Sequence, residues 1–527
     1  MEAEQHTGAP PVEVESPKSA PAREETARAA GRGGLAIAGA KVSFIVFGFA
    51  QQLVLPRLLG VDGYGKISLV LALVSLVNNV IVATSIQGVS RAISSAPEGR
   101  ADEAFRRTLG VHVALAMVVS TAFALAAGTI ADLEGAPHLA SPLRLVGAVV
   151  LLYGIYAPLV GSLNGRRRFL AQAGLDVGYG ALRLVAVVGG AFFFLRRGDN
   201  GVFGAAAGFV AAATIIVPVA MFFTGIGKRA RTGDAPIPSM GDYIGYLLPL
   251  GVSQIFLNLL MQTDLILLRR FAGQAAETPA IADTLLGVYR GAQLFSFLPY
   301  QLLMSITFIL FPMLAKAQAE GDRAAVRDYT RTGVRLALIL TGLMCGAVSA
   351  TAPHLLRVVF PEEIWSQGGD ALRILSLGMG AFSVLGILSA AFSSLGRPHV
   401  AAILTAIAVA LIAGGSWILV PNAPVGPDML VRSAIATSVA LTITVVVAGL
   451  LLAKLAGGLV APATLVRVLL ATGVTVAVGS RLPWIGKVGT IGEVIAVAAL
   501  YVVVLVLSRE VGRDDLRRVQ QVAGRRG

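Results

Sequence analysis

Long apolar runs recur along almost the whole of this 527-residue chain, and they constrain its fold more than any other feature. A helix of about 20 residues crosses the roughly 30 Å hydrocarbon core of a bilayer. Only 14% of the residues are charged, and the mean hydropathy is +0.76. The sequence therefore predicts an all-α polytopic membrane protein. About fourteen transmembrane helices are expected, at residues 34–55, 67–89, 108–131, 142–163, 170–195, 201–225, 243–268, 285–314, 331–356, 371–394, 399–420, 431–456, 462–481 and 488–508.

The distribution of basic residues predicts the orientation of the chain, which has a formal net charge of +13. If the N-terminus is cytoplasmic, the cytoplasmic connectors hold most of the arginines and lysines, as the positive-inside rule requires. We therefore expect a multi-pass protein of the cell (plasma or inner) membrane, embedded in the lipid bilayer with both termini cytoplasmic and with no nucleic-acid partner. Cys345 is the single cysteine, so an intramolecular disulfide is excluded, and the scattered histidines favour neither a metal site nor a cofactor.

The apolar segments group into two halves. Basic connectors at 90–107 and 315–332 resemble each other, and polar residues recur at one depth in the first and seventh segments. Such repeats are typical of transporters whose site lies between two halves. The predicted divisions are a disordered cytoplasmic tail 1–33, an N-terminal six-helix bundle 34–225, a cytoplasmic linker 226–242, a C-terminal six-helix bundle 243–456, an extra helix pair 457–508 and a basic cytoplasmic tail 509–527.

Amide side chains lie inside several apolar segments, where hydrocarbon offers them no hydrogen-bond partner. On several segments these and other polar residues follow one face of the predicted helix and form a polar stripe. A stripe on one segment alone would be explained by hydrogen bonds between helices. Stripes on five segments together predict a water-filled central cavity between the two bundles. The polar residues predicted to line it are Gln51, Gln52, Asn78, Asn79, Asp176, Gln254, Asn258, Gln262, Gln293 and Gln301.

Arg183 falls near the middle of the fifth segment, where an unpaired charge costs at least about 2.5–3.5 kcal/mol. Asp176 is on the same face, but about 10.5 Å of helix separates the two residues, which is too far for a tight ion pair. Two interpretations remain open. Arg183 is either half of a structural ion pair with another helix or a cation that faces an anionic substrate.

Asp264 also has two interpretations. It is either a local partner of Arg269 or Arg270, or a site for a coupling ion, H⁺ or Na⁺. Lys41 and Arg91 belong to the hairpin formed by the first two segments and are predicted to guard the cytoplasmic mouth as gate residues.

The stretch from Gly60 to Lys66 fits the pattern G-x4-G-K of a phosphate-binding loop. That loop needs Ser or Thr next and a strand before it. Here Ile67 follows and both flanks are apolar segments, so the pattern favours a turn that uses the conformational freedom of glycine.

Three segments carry a resemblance to a known family: LPRLLGVDGYG at 55–65, FPMLA at 311–315 running into Gly321-Asp322, and LRILS at 372–376 through SLGRP at 394–398. With them, the chain resembles the polysaccharide flippase branch of the multidrug/oligosaccharidyl-lipid/polysaccharide (MOP) exporter superfamily over nearly all of 34–508. The resemblance implies a non-enzymatic transporter that works by alternating access. Its substrate would be a polyprenyl-diphosphate-linked oligosaccharide, moved to the outer leaflet for cell-surface polysaccharide synthesis, with a polysaccharide polymerase and glycosyltransferases as partners.

The chain departs from the sister lipid II flippases, which carry Arg-Asp where it has Gln51-Gln52 and an arginine where it has Gln293. The diphosphate is therefore assigned to Arg183 and Arg290. The alternatives are a lipid II flippase, a drug/cation antiporter of the multidrug branch, and a membrane glycosyltransferase or polymerase. The antiporters usually have twelve helices, and an enzyme would need histidines or metal-type spacing beside the carboxylates of the outer loops.

Overall fold

The computed structural model describes residues 20–97, 99–225, 239–457 and 459–512, with side chains at all of these positions except 20–35, 302 and 304–312. The described chain is helical with short connectors, because a segment in hydrocarbon must satisfy its backbone N–H and C=O groups internally. The helices are α1 Ala20–Ser94, α2 Ala101–Leu133, α3 Ala140–Gly165, α4 Phe169–Arg196, α5 Gly201–Thr224, α6 Met240–Ala275, α7 Pro279–Ser296, α8 Leu298–Ala319, α9 Arg323–Ala350, α10 Ala352–Val359, α11 Glu362–Ser394, α12 Pro398–Leu419, α13 Pro427–Ala456, α14 Pro462–Gly479 and α15 Lys487–Leu507.

The helices run up and down and define two ends of the molecule. The near end carries the connectors 95–100, 166–168, 320–322, 395–397 and 508–512. The far end carries the connectors 134–139, 197–200, 276–278, 420–426 and 480–486, together with a bend in α1. Twelve helices in the described part are long and apolar enough to cross a membrane.

The bend in α1 lies at Gly60, whose φ of 75° and ψ of 170° break the helix into two limbs. Glycine adopts a positive φ without steric cost, so the prediction of a glycine-dependent turn at this point is confirmed. The helix begins at Ala20, earlier than the predicted start at residue 34. Residues 1–19 of the predicted disordered tail lie outside the described residues, as do 226–238 of the predicted linker and 513–527 of the basic tail.

Two bundles and a helix pair make up the fold, and the all-α polytopic architecture is confirmed. The two limbs of α1 pack with α2 to α5 in the N-terminal bundle, and α6 to α13 form the C-terminal bundle. The helices α14 and α15 pack on each other and on α9. Contacts of α1 with α6 and α7 join the two bundles.

The predicted eighth segment, 285–314, is not one helix. It divides into α7 and α8 around Phe297, because Pro299 stands in the first turn of α8 and cannot donate a backbone hydrogen bond. The predicted surface connectors at 90–107 and 315–332 are also shorter than expected. Helices α1, α2, α8 and α9 extend into them and leave only 95–100 and 320–322 outside helices.

Candidate functional site

A cavity of about 280 Å³ lies inside the N-terminal bundle, between α1, α3, α4 and α5. Five of the residues singled out in the sequence line it together: Lys41, Asn78, Asn79, Asp176 and Arg183. Polar groups in a membrane-spanning segment avoid lipid by facing the bundle interior or a cavity. The cavity differs from the predicted one in its position, because its walls come from one bundle rather than from both.

Arg183 supplies a positive charge that no described carboxylate neutralises. Its Cζ lies 4.8 Å from the centroid of the Phe209 ring, and its Nε is buried without a hydrogen-bond partner among the described residues. The carboxylate on the same helix, Asp176, instead forms an ion pair with Lys41, with Nζ and Oδ2 3.5 Å apart. An aromatic ring attracts a cation without cancelling its charge. Arg183 therefore remains able to pair with an anion in the cavity.

Three tyrosines complete this part of the cavity wall. Tyr153 and Tyr156 come from α3 and Tyr179 from α4, and their ring centroids lie 5.7 to 6.0 Å apart. The Tyr153 hydroxyl donates a hydrogen bond to the Tyr179 hydroxyl. The sequence pattern misses Tyr153 and Tyr156 because tyrosine counts as apolar in a hydropathy window. Their spacing of three residues is the available signal, since it places both on one helix face.

Two further cavities adjoin this one toward the near end. The first has a volume of about 390 Å³ and shares the wall residue Ile86 with the cavity of the N-terminal bundle. The second has a volume of about 250 Å³ and shares Arg91 and Tyr246 with the first. The Cζ of Arg91 lies 4.1 Å from the centroid of the Tyr246 ring, so this contact joins α1 to α6. The row of cavities leads from Arg183 toward the near end, and Arg91 stands where it reaches that end.

Polar contacts hold the two bundles together beside these cavities, whose walls include Asn79 and Tyr243. Asn79 Nδ2 donates to Asn258 Oδ1 at 2.9 Å. His112, which is only 1% exposed, lies 2.9 Å from the Ser85 hydroxyl and 2.7 Å from the Tyr243 hydroxyl through its two ring nitrogens. Buried polar groups with partners in both bundles stabilise a closed interface.

A second polar network is centred on Asp264 in the C-terminal bundle. The carboxylate accepts hydrogen bonds from the Tyr289 hydroxyl at 2.9 Å and from the Gln293 amide at 3.1 Å. Arg290 donates to the Gln293 Oε1 at 3.0 Å. Arg290 is not on the wall of the three cavities described above, so the structure does not bring the two predicted diphosphate ligands, Arg183 and Arg290, into one cavity.

The interpretation that pairs Asp264 with Arg269 or Arg270 is wrong. The Arg269 Nε donates to Asp283 at 2.9 Å, and both side chains are fully buried. The turn between α6 and α7 explains the error, since it places Asp283, near the start of α7, next to Arg269, near the end of α6.

The other predicted amides are dispersed. Gln51 is buried, Gln52 is half-buried, and the Gln254 carbonyl accepts a hydrogen bond of 2.8 Å from the Asn258 side chain. The Oε1 atoms of Gln262 and Gln301 are buried without a protein partner among the described residues. None of these five glutamines is among the residues that line the cavity of Arg183. Within the described chain, no group of His, Cys, Asp and Glu residues could hold a metal ion.

The far end is closed by contacts between the bundles. Arg269 donates to the backbone carbonyls of Glu134 and Gly135, each at 3.3 Å, and His138 lies 3.0 Å from Asp283. A Cβ atom on Gly65 would lie 1.8 Å from the Asp283 carbonyl oxygen, so α1 and α7 meet there backbone to backbone.

Glu134 stands beside this closed end, 7% exposed, with one carboxylate oxygen that has no hydrogen-bond partner among the described residues. Burial raises the pKa of Glu134 to about 7, although the charges of Arg270 and Arg269 oppose that shift.

Comparison with known proteins agrees with this architecture. The family model described as polysaccharide biosynthesis protein matches residues 30–318, and the MatE model matches residues 249–414. No curated protein matches the sequence.

Solved structures share the fold at low sequence identity. A structure of the lipid II flippase MurJ in an inward closed conformation has a TM-score of 0.71 and 13% identity, covering 90% of this chain and 99% of its own. An inward-facing multidrug resistance MATE family transporter has a TM-score of 0.61 and 17% identity, and the match covers 77% of this chain and 98% of that transporter. A MOP superfamily transporter from Pyrococcus furiosus has a TM-score of 0.60 and 16% identity, and the match covers 81% of this chain and 95% of that transporter.

The fold and the family matches together define a membrane transporter of the MOP superfamily. More narrowly, the chain belongs to the polysaccharide biosynthesis protein family, whose model covers more than half of its length.

Proposed function

We propose that this transporter is a flippase for a polyprenyl-diphosphate-linked oligosaccharide, which it moves from the cytoplasmic to the outer leaflet for cell-surface polysaccharide synthesis. A polysaccharide polymerase and glycosyltransferases would be its partners in that synthesis. The family supports the link to polysaccharides. The observation that carries the proposal is the unneutralised guanidinium of Arg183 in an amide- and phenol-lined cavity within the membrane.

The chemistry of such a substrate matches the cavity. A guanidinium forms paired hydrogen bonds with phosphate oxygens and keeps its charge at any physiological pH. The amides of Asn78 and Asn79 and the hydroxyls of Tyr156 and Tyr179 can exchange hydrogen bonds with sugar hydroxyls. Because a carrier must release its cargo, a single free cation suits transport better than a dense cluster of charges would.

We place the protein in the plasma or inner membrane, with the near end facing the cytoplasm. Arg91 then stands at the cytoplasmic mouth of the row of cavities. The row of cavities then opens toward the side where the substrate is made, while the contacts of Gly65 and Arg269 close the outer side. Alternating access requires the far-end contacts to break and the near-end contacts to form more tightly.

The test uses proteoliposomes that contain a fluorescent polyprenyl-diphosphate oligosaccharide, with a membrane-impermeant quencher reporting its leaflet. Arg183→Ala is compared with Arg196→Ala. Arg196 is a matched control, because it lies on the same helix and its Cζ stands 4.6 Å from the ring centroid of Phe192, outside the cavity. We expect Arg183→Ala to lower the flipping rate at least about tenfold, the effect of losing about 1.4 kcal/mol, and Arg196→Ala to leave it unchanged.

Other outcomes would reject the proposal. Equal rates for Arg183→Ala and wild type would mean that the arginine is structural. Transport of lipid II in preference to the oligosaccharide lipid would identify a peptidoglycan-precursor flippase instead. Export of an organic cation driven by an imposed ion gradient, without lipid movement, would identify a drug antiporter.

Asp264 and Arg290 have a separate proposed role in this mechanism. Asp264 is proposed to take up the coupling ion, and Arg290 would sense its charge through Gln293 rather than bind the diphosphate in the cavity of Arg183. If so, Asp264→Asn abolishes the dependence of flipping on a proton or sodium gradient and leaves substrate binding intact. Unchanged gradient dependence in this variant would exclude Asp264 as the coupling site.

A further inference from the structure

A cationic pocket of about 240 Å³ lies at the near end, outside the two transport bundles, where α9 meets the extra pair α14 and α15. Four arginines line it, against a single carboxylate. The polar lining residues are Arg331, Arg335, Thr464, Arg467, Arg509 and Glu510.

Glu510 organises one side of the pocket. The carboxylate accepts hydrogen bonds from Arg335 at 2.8 Å, from Arg467 at 3.1 Å and from Thr464 at 2.9 Å. Burial opposes its ionisation, but these hydrogen bonds outweigh burial and lower the pKa of Glu510. Arg335 and Arg467 are thus fixed in place, and their charges are already shared with a carboxylate.

The other two arginines have no such constraint. Among the described residues, the side chains of Arg331 and Arg509 form neither a hydrogen bond nor an ion pair. Arg509 has a φ of 60°, the left-handed conformation in which many helices end, and its N–H donates to the Val506 carbonyl while the Glu510 N–H donates to the Leu505 carbonyl. This turn carries the chain past the end of α15 and into the pocket wall.

The backbone adds to the positive character of the pocket. Ala461, on the pocket wall, is the residue that precedes α14, so the N-terminal end of that helix opens onto the pocket. Pro462 has no N–H and the Thr464 N–H donates to the Ala461 carbonyl, but the positive end of the helix dipole still favours an anion here. Beyond it, Leu470 lies one turn along α14 from Arg467 and is 55% exposed, which places an apolar surface next to the polar pocket.

We propose that this pocket binds the phosphate group of an anionic membrane phospholipid, whose acyl chains lie along the exposed face of α14. Arginine pairs with phosphate through two parallel hydrogen bonds, and basic pockets between membrane helices suit anionic headgroups. The apolar face beside the pocket favours a lipid over free phosphate. The site is separate from the cavity of Arg183 and would tie the helix pair to α9 through bound lipid.

The test measures binding of fluorescent short-chain phosphatidylglycerol to the full-length protein in neutral detergent. The double variant Arg331→Gln/Arg509→Gln leaves the hydrogen bonds of Glu510 in place, so it is expected to fold. The matched control is Arg323→Gln/Arg327→Gln, which removes two exposed charges from the same end of α9 outside the pocket. We expect the pocket variant to weaken binding at least about tenfold, about 1.4 kcal/mol, and the control variant to bind as wild type does.

Size-exclusion profiles and thermal unfolding check that both variants are folded, and Arg331→Lys/Arg509→Lys gives a second measurement that keeps the charge. Equal weakening in the two glutamine variants would overturn the proposal in favour of diffuse surface attraction. So would equal binding of phosphatidylcholine. Full competition by millimolar inorganic phosphate would assign the site to a soluble anion, and much tighter binding of a polyprenyl diphosphate would assign it to the transported substrate.

Discussion

Asn79 and Asn258 lie 179 positions apart in the chain, yet their side-chain amides form a hydrogen bond of 2.9 Å that joins the two bundles. Both residues belong to the polar stripes that the sequence places inside apolar segments. The stripes therefore serve the closed interface as well as the cavity. For this pair, opening of the interface exchanges a protein hydrogen bond for one to water or substrate.

A double-mutant cycle should measure that hydrogen bond. Asn79→Ala and Asn258→Ala are expected to show a coupling energy of about 0.6–2 kcal/mol in unfolding experiments in mixed micelles, the range found for polar contacts between membrane helices. Asn422→Ala provides a control, because the Asn422 side chain donates to the Ile418 carbonyl of its own helix end at 2.7 Å. The losses in the free energy of unfolding caused by Asn422→Ala and Asn79→Ala should simply add in the double variant. A coupling energy of zero for Asn79 and Asn258 would show that the contact contributes nothing to stability.

Gly65→Ala should force the far end open. A Cβ at Gly65 would lie 1.8 Å from the Asp283 carbonyl oxygen, which is backbone and cannot move aside as a flexible side chain could. Spin labels attached through Asp199→Cys and Glu277→Cys, both at exposed far-end positions, should report a longer separation between the bundles. The buried native Cys345 is replaced by alanine to keep labelling specific.

Gly48→Ala is the matched control for that substitution. Gly48 lies on the same helix, and a Cβ there would meet nothing within 4 Å. Its spin-label distances should equal those of the parent protein. Identical distances in the Gly65 variant would mean that the far end does not depend on this backbone contact.

Asp283→Asn should destabilise the protein far more than an equivalent change on the surface. It would leave the fully buried Arg269 without its charged partner, and breaking a buried pair from one side costs about 3–5 kcal/mol. Asp62→Asn breaks the partly exposed pair with Lys66, for which about 1 kcal/mol or less is expected. Thermal unfolding of both variants checks the contrast, and similar losses in the two would contradict the buried-pair argument.

Glu134 should make stability depend on pH in a defined window. Its carboxyl has a pKa of about 7 when folded, against an ordinary value of 4.5. Between these two values the folded state holds the proton and the unfolded state has lost it. The free energy of unfolding should therefore fall as pH rises from about 4.5 to about 7, by about 1.4 kcal/mol for each unit of pKa difference.

Glu134→Gln should remove that slope and be more stable than wild type above pH 7. Glu363→Gln, at an exposed far-end position, should keep the wild-type slope. Charged neighbours that face Glu134 are Arg269 and Arg270 from α6, and His138 and Asp283 lie in the same contact region. A variant with the full wild-type slope would place the titrating group elsewhere.

Much of this architecture is predictable from the sequence, because hydropathy and helix length fix which segments cross a membrane. The bend at Gly60 follows from glycine chemistry, and the membership of Asn78, Asn79, Asp176 and Arg183 in polar stripes predicts that they avoid lipid. Which of these stripes meet is a different question. Periodicity gives a face of one helix but not the neighbour that it packs against. The sequence therefore places the cavity between the bundles and offers Arg269 or Arg270 as a local partner for Asp264.

The bend at Gly60 has a mechanical consequence for the whole transporter. Arg57, just before it, donates a hydrogen bond of 2.5 Å to the Val359 carbonyl, and Gly65, just after it, packs on α7. The bend thus joins the first two membrane crossings without a flexible loop, and the residues on both sides of it contact the C-terminal bundle. We therefore expect a tilt of either crossing to turn the other with it, so that the far-end contacts between the bundles break together.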